Sequence, residues 1–412
     1  MNWLIPVEML TAEQRRAMEF ASCNPFLVAG GPSTGKTQAL LHRARYLCDT
    51  LKSSPNRFRI LVPTDALVNY LKPALRDLQL PEDKLMTLNQ WCRLFFRDRI
   101  SNFVPWNAAR RQPHFEKIRA EVRLWITSHD FILPIYDFVL IDELHNFSEE
   151  GVSVLARIAS HATGCFDPLA HLPGNTFNRP FGRPRLRNRT IHLAETFDAN
   201  PYLVEIGAEF LPDGACRCAF RGQHRTMSLS RETPLLYLAR NVEDELKKLF
   251  EVLRDRQLMN ESVGILLPKT SQVYLWAEWL NELGLDVETP EETPYSSIFN
   301  FSSSCPKLLT YREAAGLKFD SVLLPRLTEK SFSAYQSSEI NLALFLALTR
   351  AKRWCYLSTT AAETLPNLSK LFRRELTLSI LRYGDSSVSK STVAFDSISN
   401  VCIGPDDTLN FL

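Results

Sequence analysis

No apolar run in the chain approaches the roughly 18 residues that a bilayer-spanning helix requires. The opening residues, Met1-Asn2-Trp3-Leu4-Ile5-Pro6, set no basic segment ahead of an apolar one. The expectation is a cytoplasmic protein with no signal peptide and no membrane partner. The 9 cysteines are odd in number and scattered, which argues against a disulfide framework and suits a reducing compartment. Cys216-Arg217-Cys218 with His224 nearby matches no usual zinc spacing. No short-period repeat is present, and a formal net charge of +2 selects no partner by itself. The positive charge is clustered, however. Arg179, Arg183, Arg185, Arg187 and Arg189 crowd one segment, and Arg93, Arg97, Arg99, Arg110 and Arg111 lie beside Trp91, Phe95, Phe96 and Trp106. Basic stretches interleaved with aromatics suit a phosphate backbone with stacked bases, although each alone reads more simply as a solvated surface over core aromatics.

With 45% apolar and 23% charged residues over 412 positions, the composition is that of an ordinary globular protein. The length gives room for roughly two or three domains. Apolar runs that read as strands alternate with helical patterns in both halves, which predicts an α/β chain with two parallel-sheet domains. The first would span 1–190, with a small helical insertion at about 92–135, and the second 191–385. Residues 386–412 are serine-rich and weakly patterned, and would form a C-terminal extension.

Phe26-Leu27-Val28-Ala29 runs into Gly30-Gly31-Pro32-Ser33-Thr34-Gly35-Lys36-Thr37, and Gln38-Ala39-Leu40-Leu41 continues as a helix. Strand, glycine-rich turn and helix in this order make a phosphate-binding loop. Glycines let several N–H groups turn toward one anion, and the helix N-terminus adds a partial positive charge. Lys36 would reach the β- and γ-phosphates, and Thr37 would hold Mg²⁺ by its hydroxyl. About a hundred residues later, Tyr136-Asp137-Phe138-Val139-Leu140-Ile141 ends in Asp142-Glu143. Asp142 would hold Mg²⁺ and Glu143 would polarise an attacking water. Two carboxylates at a strand–helix junction can also be a mere helix cap. Their place after a phosphate loop in an α/β pattern favours the chemical reading.

The order of these motifs resembles that of the UvrD/Rep-like superfamily 1 helicases, from about residue 11 to residue 359. Leu10-Thr11-Ala12-Glu13-Gln14 looks like the glutamine motif, in which Gln14 would read the adenine edge. Leu61-Val62-Pro63-Thr64 and Thr87-Leu88-Asn89-Gln90-Trp91 resemble segments of the nucleic-acid track, so Thr64, Thr87 and Trp91 would face a single strand. Residues 310–320 resemble the fifth motif. Ala347-Leu348-Thr349-Arg350-Ala351-Lys352 resembles the sixth, where Arg350 would be an arginine finger. The likeness implies two tandem RecA-like domains with an ATP cleft between them and small or absent insertions. It also implies ATP and Mg²⁺ as cofactors, held by Gln14 and by Gly30, Gly31, Pro32, Ser33, Thr34, Gly35, Lys36, Thr37 and Gln38. The partner it implies is single-stranded nucleic acid, DNA before RNA.

The departures from that pattern are specific. Ala170 stands where the third motif has a γ-phosphate-sensing Gln, and Glu195-Thr196-Phe197-Asp198 puts an acid where the fourth has an Arg. In the fifth, Arg312 and Lys318 replace a His and a ribose-binding Glu, and Gln38 replaces an Arg after the loop. The groups that hold nucleotide are kept, while those that couple hydrolysis to strand movement are changed. Two readings follow. One is a helicase-type ATPase stimulated by nucleic acid. The other is an ATP switch that works as a subunit with a partner protein, such as a nuclease in DNA repair or anti-phage defence. A small-molecule kinase would explain neither Gln14 nor the Arg350 segment.

Overall fold

The computed structural model describes residues 4–21, 25–108, 112–129, 132–170, 189–197, 200–223, 232–290, 299–374 and 377–385. The arginines at 179–187, Arg110, Arg111, Asp198, His224 and the segment 386–412 lie outside these.

The first half contains strands Phe26–Gly30 (β1), Phe58–Val62 (β2) and Leu85–Thr87 (β3), then a short antiparallel ribbon of Trp106–Asn107 (β4) and Gln112–Pro113 (β5). Strands Tyr136–Ile141 (β6), Ala159–Phe166 (β7) and Thr190–Leu193 (β8) follow. Apart from the ribbon, these strands form a 6-stranded sheet in the order β3-β2-β6-β7-β1-β8, every neighbouring pair parallel. Parallel neighbours cannot be joined by a tight turn, so helices make the crossovers. Ala12–Glu19 (α1) precedes β1, and Lys36–Leu51 (α2), Asp65–Asp77 (α3), Leu88–Arg99 (α4), Phe115–Ser128 (α5) and Glu149–Arg157 (α6) lie in the connections between strands. The pairing of β8 with β1, Val28 opposite Ile191, corrects the expected division at 190/191. That division would cut a strand of the first sheet.

The second half repeats the scheme. Helices Pro201–Ala208 (α7) and Gly214–Gly222 (α8) precede Leu235–Ala239 (β9), Val242–Leu258 (α9), Val263–Leu267 (β10) and Thr270–Glu282 (α10). Lys307–Thr310 (β11), Phe319–Leu324 (β12), Ser337–Leu348 (α11), Ala351–Thr360 (β13) and Ser379–Arg382 (β14) complete it. The 6-stranded sheet has the order β11-β10-β12-β13-β9-β14, again parallel throughout. The chain is thus α/β with two parallel sheets.

Helices cover both faces of each sheet, which is why the strands read as unbroken apolar runs. Along β6, Phe138 and Leu140 enter one core while Val139 and Ile141 enter another with Trp91, Phe95 and Ile118 of α4 and α5. The helices of the expected insertion at 92–135 therefore pack directly on the first sheet. Along β13, Cys355 and Leu357 share the core of Phe138, while Trp354 and Tyr356 face α9 and α10. One apolar core accordingly runs from the first sheet into the second, and Tyr70 meets Phe301 edge-on at 5.3 Å between ring centroids. No helix among the described residues is long and apolar enough to cross a membrane.

Candidate functional site

Parallel pairing puts the C-terminal ends of β1 and β6 at the same edge of the first sheet, where open α/β sheets collect ligand-binding loops. Beyond β1, Gly35 adopts φ +81°, and a Cβ there would fall 2.2 Å from Gln14 Nε2, so glycine alone fits. Gln14 is tied on both sides. Its Oε1 accepts from the Thr11 N–H at 3.0 Å in the capping box of α1, and its Nε2 donates to the Thr34 carbonyl at 3.0 Å. Lys36 Nζ donates to the carbonyls of Gly30 and Gly31, each at 2.8 Å. Gly35 is also the N-cap of α2 and brings no side chain to its first N–H groups. That leaves the helix N-terminus suited to an anion.

Beyond β6, Asp142 is fully buried and its Oδ2 accepts from Thr37 Oγ1 at 2.6 Å. Burial, and then the charge of Glu143, push the Asp142 carboxyl up to about 6. Glu143 occupies the left-handed region at φ 48°, ψ 45°, an uncommon and strained conformation for its type. Burial alone would raise its pKa. The His145 hydrogen bond and the positive charges of Arg350 and Lys36 instead hold it below the usual carboxylate range. His145 Nε2 lies 3.2 Å from Glu143 Oε2, and its Nδ1 accepts from the Asp167 N–H at 3.4 Å. Nε2 is therefore the nitrogen placed to donate to Glu143.

The second half closes over this edge. A cavity of about 580 Å³ is lined by the loop, Glu143 and Phe197 from the first half and by Gly316, Lys318 and Arg350 from the second. Arg350 is buried at the end of α11, where its Nε donates to the Leu346 carbonyl at 3.0 Å. Gly316, at φ +78°, leaves room for Leu67, whose Cδ2 would be 2.6 Å from an added Cβ, and brings the segment after β11 against Glu143. Lys318 Nζ donates to Ser33 Oγ at 2.6 Å, and the Phe197 N–H donates to the Ser33 carbonyl at 3.1 Å.

Of the residues singled out from sequence, Gln14, Pro32 through Gln38, Glu143 and Arg350 line this one cavity. Gly30 and Gly31 anchor Lys36, and Asp142 lies behind Thr37. Trp91 does not belong with them. It is 1% exposed, its Nε1 donates to Tyr136 OH at 3.1 Å, and it is a core residue, not a surface for a base. The hydroxyls of Thr64 and Thr87 accept from the N–H groups of Leu67 and Gln90, capping α3 and α4. His145, Phe197 and Lys318 carry no role in the sequence reading. Lys318 is visible there only as a departure from the fifth motif, and His145 and Phe197 only as neighbours of motif residues.

No family model matches the chain, and no curated protein matches it. Among solved structures it is similar to the C-terminal domain of a possible DNA helicase from Lactobacillus plantarum WCFS1. The match covers 36% of this chain and 85% of that one, at 14% identity and a TM-score of 0.30. A likeness of that size carries no argument about this chain.

Proposed function

We propose that the chain is an ATP-binding, helicase-like ATPase of two RecA-like domains, with the nucleotide held between them and single-stranded nucleic acid, DNA before RNA, as its partner. The observation that carries this is the one cavity shared by Lys36 from the first sheet and Arg350 from the second. The residues fit a magnesium triphosphate: a helix N-terminus without a side-chain cap, a hydroxyl and carboxylate already paired behind it, and cations on the facing wall. Thr37 and Asp142 would hold the magnesium, which when bound neutralises charge on phosphate oxygens. Lys36 binds those oxygens. Glu143, oriented by His145, takes a proton from the attacking water. Arg350 brings positive charge from the opposite half, and Gln14, fixed to the loop, faces the base. In this reading the first domain runs through Leu193 and the second ends near residue 385. The nucleic-acid track retains Thr64 and Thr87 and loses Trp91.

The test is ATP turnover by the purified chain, with and without single-stranded DNA, beside Lys36→Ala. Turnover that rises with DNA and vanishes in the variant is the expected result. A wild-type protein indifferent to nucleic acid removes the motor. A second reading, an ATP switch serving a partner such as a nuclease in repair or anti-phage defence, is favoured by Ala170, a buried methyl where the resemblance calls for an amide. Slow turnover together with a stable stoichiometric partner on purification would support it.

A further inference from the structure

Lys318 lies in the segment between β11 and β12, two residues after the left-handed Gly316. Its ammonium leaves the second half and donates to Ser33 Oγ in the loop at 2.6 Å; it also donates to the carbonyl of Thr349, the residue before Arg350. The cavity it lines holds three other cations, Lys36, Arg350 and Lys352, against two lining carboxylates, Glu143 and Asp167. Enclosure, and then the positive charges of Arg350, Lys352 and Lys36, hold the Lys318 ammonium well below the usual lysine range; Glu143 opposes them. A hydroxyl and a carbonyl are neutral partners for a cation in such company. What the group lacks is an anionic oxygen, with which a charge-assisted bond is roughly twice as strong as a neutral one.

We propose that Lys318 is a phosphate-contacting residue supplied by the second sheet, exchanging Ser33 Oγ for a phosphate oxygen when a nucleoside polyphosphate enters. This rests on the nucleotide reading above and adds to it a cation that discriminates by phosphate content. The geometry makes Lys318 the group through which occupancy of the loop is felt on the far side of the cavity. Its present bond to Ser33 spans the gap that the ligand would fill, so arrival of the anion shifts a contact already made between the halves.

The experiment titrates ATP and adenosine, with magnesium present, against the full chain and against Lys36→Ala, Lys318→Met and Lys318→Arg, each checked for its ligand-free melting point. The expected result is that Lys318→Met weakens ATP about 10- to 100-fold and leaves adenosine unchanged, with Lys318→Arg recovering most of the loss. A role confined to bridging the two halves would move both ligands together, so equal loss of ATP and adenosine overturns the proposal. Wild-type ATP affinity in Lys318→Met, with binding abolished in Lys36→Ala, overturns it while leaving the nucleotide reading intact. Absence of ATP binding by the wild-type chain overturns both. Should Lys318→Met melt well below wild type, Lys318→Arg decides. A folded Lys318→Arg with the ATP-to-adenosine ratio of wild type supports the phosphate contact, and one that has lost that ratio overturns it.

Discussion

What a side chain can do depends on which way its helix turns it. On α4, Trp91, Cys92, Phe95 and Phe96 recur on one face and are buried, while Arg97 and Arg99 point to water. The helical period thus separates the aromatic and basic residues that interleave in the sequence. Trp91→Phe should lose the bond to Tyr136 and some packing, lowering stability by about 1–3 kcal/mol in urea unfolding, with the DNA affinity of the folded variant unchanged. Weaker DNA binding at wild-type stability would return Trp91 to the strand. His145 is the opposite case, a residue unremarked in sequence that holds Glu143 by a 3.2 Å contact. His145→Ala should lower kcat about 10- to 100-fold with nucleotide affinity retained. A matching loss of affinity in equilibrium titration would show that His145 serves binding and not the orientation of Glu143.

At the scale of elements, the segment after β11 matters most, because Gly316 sets how close it comes to Glu143. Gly316→Ala places a methyl against Leu67 in a left-handed conformation. It should cost about 1–2 kcal/mol in denaturant unfolding and reduce turnover by more than that loss explains. Turnover that stays at wild-type level would mean the segment need not touch Glu143. Which elements could be read in advance follows from their length and setting. The strand, turn and helix at β1 and α2, and the strand ending in Asp142-Glu143, declare themselves because their signals are local. The strands β3 and β14 are short edge pieces of Leu85–Thr87 and Ser379–Arg382, too brief for a period. Strand β9 is a five-residue apolar run that periodicity alone cannot tell from buried helix. The contact of Lys318 with Ser33 joins positions 285 residues apart, and no local pattern announces it.

For the whole molecule, the shared apolar core is decisive. Phe138 of the first sheet and Leu357 of the second belong to one cluster. The protein should therefore unfold in a single calorimetric transition, and two separated peaks would show that the halves are energetically independent. Saturating magnesium-ATP should raise that transition, by about 2.7 kcal/mol of stabilisation at a hundred times the dissociation constant, and should do nothing to Lys36→Ala. The backbone that passes from β8 to α7 has a further consequence. Phe197 is bonded to Ser33 of the loop, the Thr196 N–H and hydroxyl are both bonded to the carbonyl of Gln223, and the Asn200 amide donates to the carbonyls of Glu232 and Arg353 beside β9 and within β13. Of the described residues in this stretch, Phe197 is thus fastened to the loop and Asn200 to the neighbouring sheet. A pull that parts the two sheets would load the Phe197–Ser33 bond together with the Lys318–Ser33 contact, so both strains would converge on one serine.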